Sequence, residues 1–507
     1  MTPPRFDRSL LRMRRITLAL LSLALAGLTG RPAPAQTPTA ATVANYHGDA
    51  ARSGNYVTPG LTWEAARTVH RDPGFDGRVE GNVYAQPLYW HPPGAAHGLV
   101  IVATESDVVD ALDAVTGRMV WHTALGTPAP RSALPCGNIN PLGITGTPVI
   151  DPSAGALYLD AMVEQDGVPE HLVFGLRLSD GAMLPGWPIN VRQALRARGI
   201  AFNPREQNQR SALALLAGRV FIAFSGHFGD CGGYHGIVLG VATNPPRPVA
   251  GWATRGLKGG IWAPGGISVA DGRLFFTTGN TENARQWADG EGVFRLGPDL
   301  ARTTDPHDFF APSNWKSLDD DDLDLSGVGP LPIDLPDGAH RLLALGKDGN
   351  AYLLNRDDLG GIGGQIAIAR AAGTRIITGP AFYPNNGRIL VAYQAQRAIC
   401  PDGRPGGGLA AIAVAATSLA PAWCAPLDGR GAPIVTTTDG HSDPTVWVVG
   451  AEGDNRLHAL RGDTGQSLYT SAEQLGGLRH FVTILVAEGR LYVAGDGGVT
   501  AFAWSPR

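Results

Sequence analysis

Residues 225 to 236, Ser-Gly-His-Phe-Gly-Asp-Cys-Gly-Gly-Tyr-His-Gly, set His227, Asp230 and His235 in one glycine-rich loop. Two imidazoles and a carboxylate could imitate a metal cluster. The run has none of the ligand spacings of a zinc site, so the three read as structured loop residues. Residues 317 to 327, Ser-Leu-Asp-Asp-Asp-Asp-Leu-Asp-Leu-Ser-Gly, offer Asp319, Asp320, Asp321, Asp322 and Asp324 as hard oxygen ligands for Ca²⁺. The glycine and terminal glutamate of an EF-hand loop are missing, and the stretch reads as a solvated acidic loop. His47, within Ala44-Asn-Tyr-His-Gly-Asp-Ala-Ala-Arg-Ser-Gly-Asn-Tyr56, reads as a hydrogen-bonded surface histidine in an ordered entry segment.

The four cysteines suggest two disulfides in an exported chain. Cys400 and Cys424 flank one hairpin and form the expected first pair. Cys136 and Cys231 remain for the second, which would tie residues 134–147 to residues 225–236 and fix two loops at one end of the fold. No Cys-x-x-Cys-His sequence is present, so no covalent c-type haem is expected.

The elements that must position such residues are strands. Leu99 to Ala103, Val108 to Leu112 and Met119 to Thr123 are three apolar, β-branched runs separated by turn chemistry, which predicts an antiparallel meander. Between the second and third lies Asp113-Ala-Val-Thr-Gly117. The carboxylate of Asp113 can accept from the turn's own N–H groups and the Thr116 hydroxyl, and Gly117 supplies a positive φ. Trp121 leaves on the next strand. A meander of this size cannot bury both faces alone, so it implies copies of itself.

The copies can be counted. Pro87, Pro148, Pro264, Pro380 and Pro433 each follow a residue that could open a strand, at spacings of 61, 116, 116 and 53. Proline suits a first strand position, where no ladder hydrogen bond is lost. The two gaps of 116 read as skipped units, giving a repeat of about 58 residues. Arg219 to Ser225, Arg341 to Asn355 and Gly489 to Trp504 supply further strands, and Leu176 to Trp187 and Leu460 to Tyr469 echo the opening turn. The count is seven complete units and a short eighth, closed by the N-terminal segment, for which residues 44 to 70 are the expected clasp. The fold expected is an all-β, eight-bladed β-propeller of four-stranded antiparallel blades.

Residues 1–35 read as a signal peptide: Arg5, Arg8, Arg12, Arg14 and Arg15 precede the apolar run Ile16 to Gly30, and Ala33-Pro-Ala35 offers small residues for cleavage. Residues 36–507 then form a single domain, periplasmic or secreted. Glycine (68), proline (39) and only 17% charged residues suit an exported all-β chain, and no later segment is long and apolar enough to span a bilayer. A net charge of −4 provides no basic footprint for nucleic acid.

The stretch Ala111-Leu-Asp-Ala-Val-Thr-Gly-Arg-Met-Val-Trp121 resembles the tryptophan-docking repeat of the quinoprotein propeller superfamily, which includes alcohol dehydrogenases using pyrroloquinoline quinone and also non-catalytic scaffolds. The resemblance covers essentially the whole mature chain. It implies roles residue by residue. Gly260-Ile-Trp-Ala-Pro-Gly-Gly266 is similar to the segment whose tryptophan lies under the quinone, which makes Trp262 that floor. Thr277-Thr-Gly-Asn280 resembles the family's Thr-Gly-Asn, so Asn280 would bind Ca²⁺ through its amide oxygen. Gly346-Lys-Asp-Gly-Asn350 puts Lys347 at the basic residue that hydrogen-bonds a quinone oxygen. Arg295-Leu-Gly-Pro-Asp299 is similar to the segment holding the catalytic base, which makes Asp299 the candidate base and a candidate metal ligand.

Two departures stand against this pattern. The family's adjacent cysteine pair is missing, and its glutamate ligand falls in the 225–236 loop, where Asp230 is the nearest acid. The resemblance implies an oxidoreductase of an alcohol or sugar, dependent on pyrroloquinoline quinone and Ca²⁺ and passing electrons to a separate acceptor. Its alternative is a non-catalytic propeller that binds a protein or other ligand.

Overall fold

The computed structural model describes Met1 and residues 42–504; the expected signal peptide lies outside these residues apart from Met1. Eight small antiparallel sheets make an eight-bladed β-propeller. Blade one is the expected meander with one inner strand added: Leu88–Trp90, Leu99–Ala103, Val108–Asp113 and Met119–Ala124. Its outer turn forms as its chemistry dictates, with Asp113 Oδ1 accepting from Thr116 N at 2.7 Å, Thr116 Oγ1 at 2.8 Å and Val115 N at 3.1 Å. Gly117 takes a φ of +72°.

Each blade buries its faces against the next. The cluster of Leu88, Ile101, Ala111, Leu157 and Phe174 joins blades one and two, and six further clusters continue the ring from blade to blade. Tryptophan fixes the spacing where it docks on the neighbouring turn. Trp121 donates from Nε1 to Leu178 O of blade two at 2.9 Å and lies over Gly181, where a Cβ would meet its ring at 2.6 Å. Trp423 of blade six repeats this on blade seven, donating to Gly462 O at 2.7 Å over Gly465. The two 116-residue proline gaps are indeed skipped blades, whose inner strands are Ala214–Leu216 and Leu331–Asp334.

Blade eight is short in its own chain segment, with Ile484–Ala487, Arg490–Gly495 and Gly498–Ala503. N-terminal residues complete it, overlapping the expected clasp only at His70: His70–Arg71 and Gly77–Arg78 pair antiparallel to Gly498–Ala503. The entry segment has a different place. Ala44 O accepts from Ile150 N, Ala50 O from Val269 N, Ser53 O from Phe382 N and Gly54 O from Val435 N, at 2.7–2.9 Å. Asn55–Val57 adds a parallel strand to Ile434–Thr437. These partners are inner strands of blades two, four, six and seven, so residues 43–57 lie along the walls of the central channel and fill it. Arg52, 3% exposed, is held by Leu213 O at 2.7 Å and Ile267 O at 2.8 Å.

His47 is therefore a core histidine and not a surface one. It is fully buried, with its ring nitrogens 3.2 Å from Pro380 O and 3.0 Å from Thr483 Oγ1. Burial lowers its pKa to about 3. Both expected disulfides are present, Cys136–Cys231 and Cys400–Cys424. No helix among the described residues is long and apolar enough to cross a membrane.

Candidate functional site

The end of the ring at which inner strands begin, here the upper end, collects the loops that matter. Trp262 precedes the inner strand of blade four, Ser268–Ala270. The second strand of that blade, Arg273–Thr277, runs upward and delivers Asn280 to the same end. In blade five His340–Leu345 also runs upward, and the tight turn to Asn350–Asn355 presents Lys347 there. Three of the four residues picked from sequence thus share one end of the channel.

Asp299 does not. Val293–Leu296 runs back down blade four, and Asp299 follows it at the lower end, exposed, with Oδ1 accepting from Ala301 N at 3.3 Å. The carboxylate that does meet the other three is Asp324. Trp262 Nε1 donates to Asp324 Oδ2 at 3.2 Å and Asn280 N donates to Oδ1 at 2.9 Å. Lys347 Nζ lies 2.5 Å from Oδ2, with Asp322 Oδ1 at 2.9 Å. The same ammonium stands 5.2 Å from the Trp262 ring centroid, a cation–π distance.

The aspartate run is accordingly not a uniform solvated loop. Trp315–Asp320 is a short helix, Asp320 and Asp321 face solvent, and Asp319 turns in to accept from Thr281 N and Thr281 Oγ1, both at 2.8 Å. Asp324 is 4% exposed. Burial pushes its carboxyl above the ordinary value, and Lys347 pulls in the other direction. For Lys347 burial works toward a lower pKa, but Asp324 and Asp322 outweigh it and the ammonium is held above its usual value. Behind the pair sits Glu291, fully buried, with Oε2 accepting from Leu325 N at 2.6 Å and Oε1 unpartnered among the described residues. Burial and then the charge of Asp324 drive its carboxyl well upward.

Beside this cluster, a narrow pocket at the upper end of the channel is lined by Tyr46, Tyr84, Thr145, Thr147, Arg210, Pro264 and Phe481. Tyr46 comes from the channel-filling entry segment, so the pocket is floored from below. The Tyr46 hydroxyl and Thr145 Oγ1 are buried and unpartnered among the described residues. The residues His227, Asp230 and His235 form no metal-holding group there. His227 Nε2 lies 3.1 Å from Arg205 O, His235 Nδ1 lies 2.8 Å from Gly256 O, and Asp230 accepts from the Tyr234 hydroxyl at 2.5 Å. The described residues group three possible ligands only at Asp271, His340 and Asp357, all exposed.

The donor set suits both groups that the family resemblance implies. An indole face with an ammonium and a guanidinium nearby suits a flat polyanionic quinone. The Asn280 amide, Asp324 and the unpartnered Glu291 Oε1 are hard oxygen donors in a cluster with more carboxylates than bases, which suits a divalent cation. The 225–236 loop adds no carboxylate to it.

No protein-family model matches the chain, and no curated protein matches it. Among solved structures it is similar to quinohemoprotein alcohol dehydrogenase ADHIIG from Pseudomonas putida HK5, at a TM-score of 0.65 and 13% identity over 92% of this chain and 80% of that one. Quinohemoprotein alcohol dehydrogenase from Comamonas testosteroni gives a TM-score of 0.61 and 14% identity, over 91% and 80% of the two chains. A europium-containing methanol dehydrogenase gives 0.61 and 14%, over 91% and 90%. The propeller fold of these dehydrogenases is the fold of this chain.

Proposed function

We propose that the protein is an exported quinoprotein oxidoreductase that oxidises the hydroxyl of an alcohol or sugar and hands electrons to a separate acceptor. The observation that carries this reading is the meeting of Trp262, Asn280, Asp324 and Lys347 at one end of a channel filled from the other side. Its fold likeness to quinone-dependent dehydrogenases supports it, and two disulfides support a periplasmic or secreted location.

Trp262 would support the face of pyrroloquinoline quinone, Lys347 would hydrogen-bond its oxygen, and Asn280 with Asp324 would hold Ca²⁺. Bound there, the quinone supplies the hydride acceptor. The chain's own part is acid–base and positional. Asp324, raised by burial yet kept ionisable by Lys347, takes the substrate's hydroxyl proton, a role that Asp299 is too distant to fill. The contacts from Trp262 Nε1 and Lys347 Nζ to Oδ2 and from Asn280 N to Oδ1 fix its carboxylate plane and leave one acceptor position, on Oδ1, for the substrate's proton. The entry segment excludes water from below through Tyr46 and His47.

The test is addition of pyrroloquinoline quinone and Ca²⁺ to purified protein, followed by the bound-quinone spectrum and dye reduction with alcohols and sugars. Saturable binding lost in Trp262→Ala, with turnover lost in Asn280→Ala, is expected. Absence of binding at millimolar Ca²⁺ leaves the non-catalytic reading, whose one favourable feature is Phe228, 71% exposed beside the Cys136–Cys231 bridge.

A further inference from the structure

Blades four and eight face each other across an eight-membered ring, yet a residue from the loop before blade eight reaches Trp262. Phe481, 9% exposed, has its ring centroid 6.5 Å from that of Trp262 at an interplanar angle of 54°. The guanidinium of Arg210, from the loop before blade three, lies 5.4 Å from the centroid of Phe481. The nearby Glu105 carboxyl and Tyr84 hydroxyl act on the charge of Arg210. Phe481 also holds a φ of +77°, a region that strains a bulky L-residue and that concentrates at ligand clamps.

We propose that Phe481 is the movable second wall of the ligand slot, and that Arg210 beside it takes an acid group of a flat aromatic ligand lying on Trp262. This rests on the reading of Trp262 as a ligand platform and extends it to what the slot selects. A planar ring stacked on both sides needs about 7 Å between the flanking rings, two contacts of about 3.5 Å each. With the centroids 6.5 Å apart and the planes tilted by 54°, the slot is shut here, and Phe481 must both turn toward parallel and move away from the indole to open it. The slot favours a ligand that is planar, aromatic and anionic. A neutral flat ring would gain the stacking and forgo Arg210; an aliphatic acid would do the reverse.

The test titrates pyrroloquinoline quinone, and in parallel the uncharged planar 9,10-phenanthrenequinone, into wild type, Phe481→Ala, Phe481→Trp, Arg210→Met and Arg210→Lys. Binding is read by tryptophan fluorescence quenching and quinone absorbance, with thermal melts to show that each variant is folded. Phe481→Ala is expected to weaken both ligands roughly three- to ten-fold, with Phe481→Trp close to wild type. Arg210→Met is expected to weaken pyrroloquinoline quinone by about 10- to 100-fold and leave phenanthrenequinone unchanged, Arg210→Lys falling between. If wild type binds the quinone and the folded Phe481→Ala and Arg210→Met variants bind it equally well, the second wall is overturned and the platform stands. If wild type binds neither ligand, platform and wall fall together.

Discussion

Asp324 Oδ2 is shared between the indole N–H of Trp262, at 3.2 Å, and the ammonium of Lys347, at 2.5 Å. The flat surface and the acid are thereby fixed relative to each other by one oxygen atom. An acid aligned in this way acts on a substrate at the edge of whatever lies on the indole. Asp324→Asn keeps the shape and the acceptor to Trp262 but not the basicity. Turnover in dye-linked assays is expected to fall by roughly 10²- to 10⁴-fold, the usual scale for removing a general base. Quinone binding is expected to persist, because Lys347 keeps Asp322 as an ion-pair partner. Equal loss of binding and turnover would make Asp324 structural.

The ring itself can be tested at a tryptophan dock. Gly465 has a φ of +72°, and a Cβ on it would stand 2.6 Å from Trp423 Cε3, while Trp423 Nε1 is anchored on Gly462 O. The indole cannot retreat without breaking that bond. Gly465→Ala is expected to destabilise the fold by about 1–3 kcal/mol, read as a lowered midpoint of chemical unfolding. A turn glycine such as Gly155, half-buried and also at positive φ but with nothing within 4 Å of its Cβ, serves as the comparison and is expected to cost less.

The propeller was legible because its information is local. Three apolar runs and the Asp113-to-Gly117 turn specify a meander within 30 residues, and proline marks where most inner strands begin. The ring closure was legible only as a need for strands. His70–Arg71 and Gly77–Arg78 are two-residue strands with no pattern of their own, so the expected clasp, residues 44 to 70, reaches only the first residue of the first. The site was partly legible: Trp262, Asn280 and Lys347 stand in loops with recognisable neighbours. Asp324 was hidden in an acidic run whose members are told apart only by the short Trp315–Asp320 helix and the turn Leu325–Gly327 that follows Asp324. Arg210 and Phe481 carry no signal, because only closure of the ring brings blades three, four and eight together over the channel.

The closure leads to a prediction of its own. Since, among the described residues, Gly498–Ala503 is paired on its outer side only by His70–Arg71 and Gly77–Arg78, a chain that keeps residues 42–57 but lacks 58–79 leaves blade eight with an open edge and uncovers the core that Leu61, Val69 and Phe75 cap. Such a chain is expected to aggregate or melt without a cooperative transition. Adding residues 58–79 as a separate peptide is expected to restore part of the helicity-free, β-rich circular dichroism signal and the cooperativity. A monomeric, cooperatively melting truncated chain would show that the clasp is dispensable.

Last, the turn Thr104 to Asp107 at the upper end of blade one gives a pH dependence of defined sign. Asp107 is fully buried and both its carboxylate oxygens are unpartnered among the described residues. Burial, then the nearby Glu105 and Asp160 carboxylates, raise its pKa to about 9. Burial raises Glu105 to about 7. A carboxyl raised in the folded state holds a proton that the unfolded chain has released, so its stabilisation is complete below about pH 4 and lost as pH rises toward 9. Between pH 7 and 9 the loss is about 1.4 kcal/mol per unit, on the order of 3 kcal/mol in total. His47 and His227, lowered by burial to about 3 and about 4, add little there, being neutral in the folded state and mostly neutral in the unfolded one above pH 7. His171, for which burial is outweighed by Asp160, is raised and declines in the same direction, so the measurement must be a difference. Unfolding free energies of wild type minus Asp107→Asn, taken by denaturant from pH 7 to 9, are expected to fall by that amount. A flat difference would mean that Asp107 is ionised in the folded protein and paired with a group or ion that satisfies its charge.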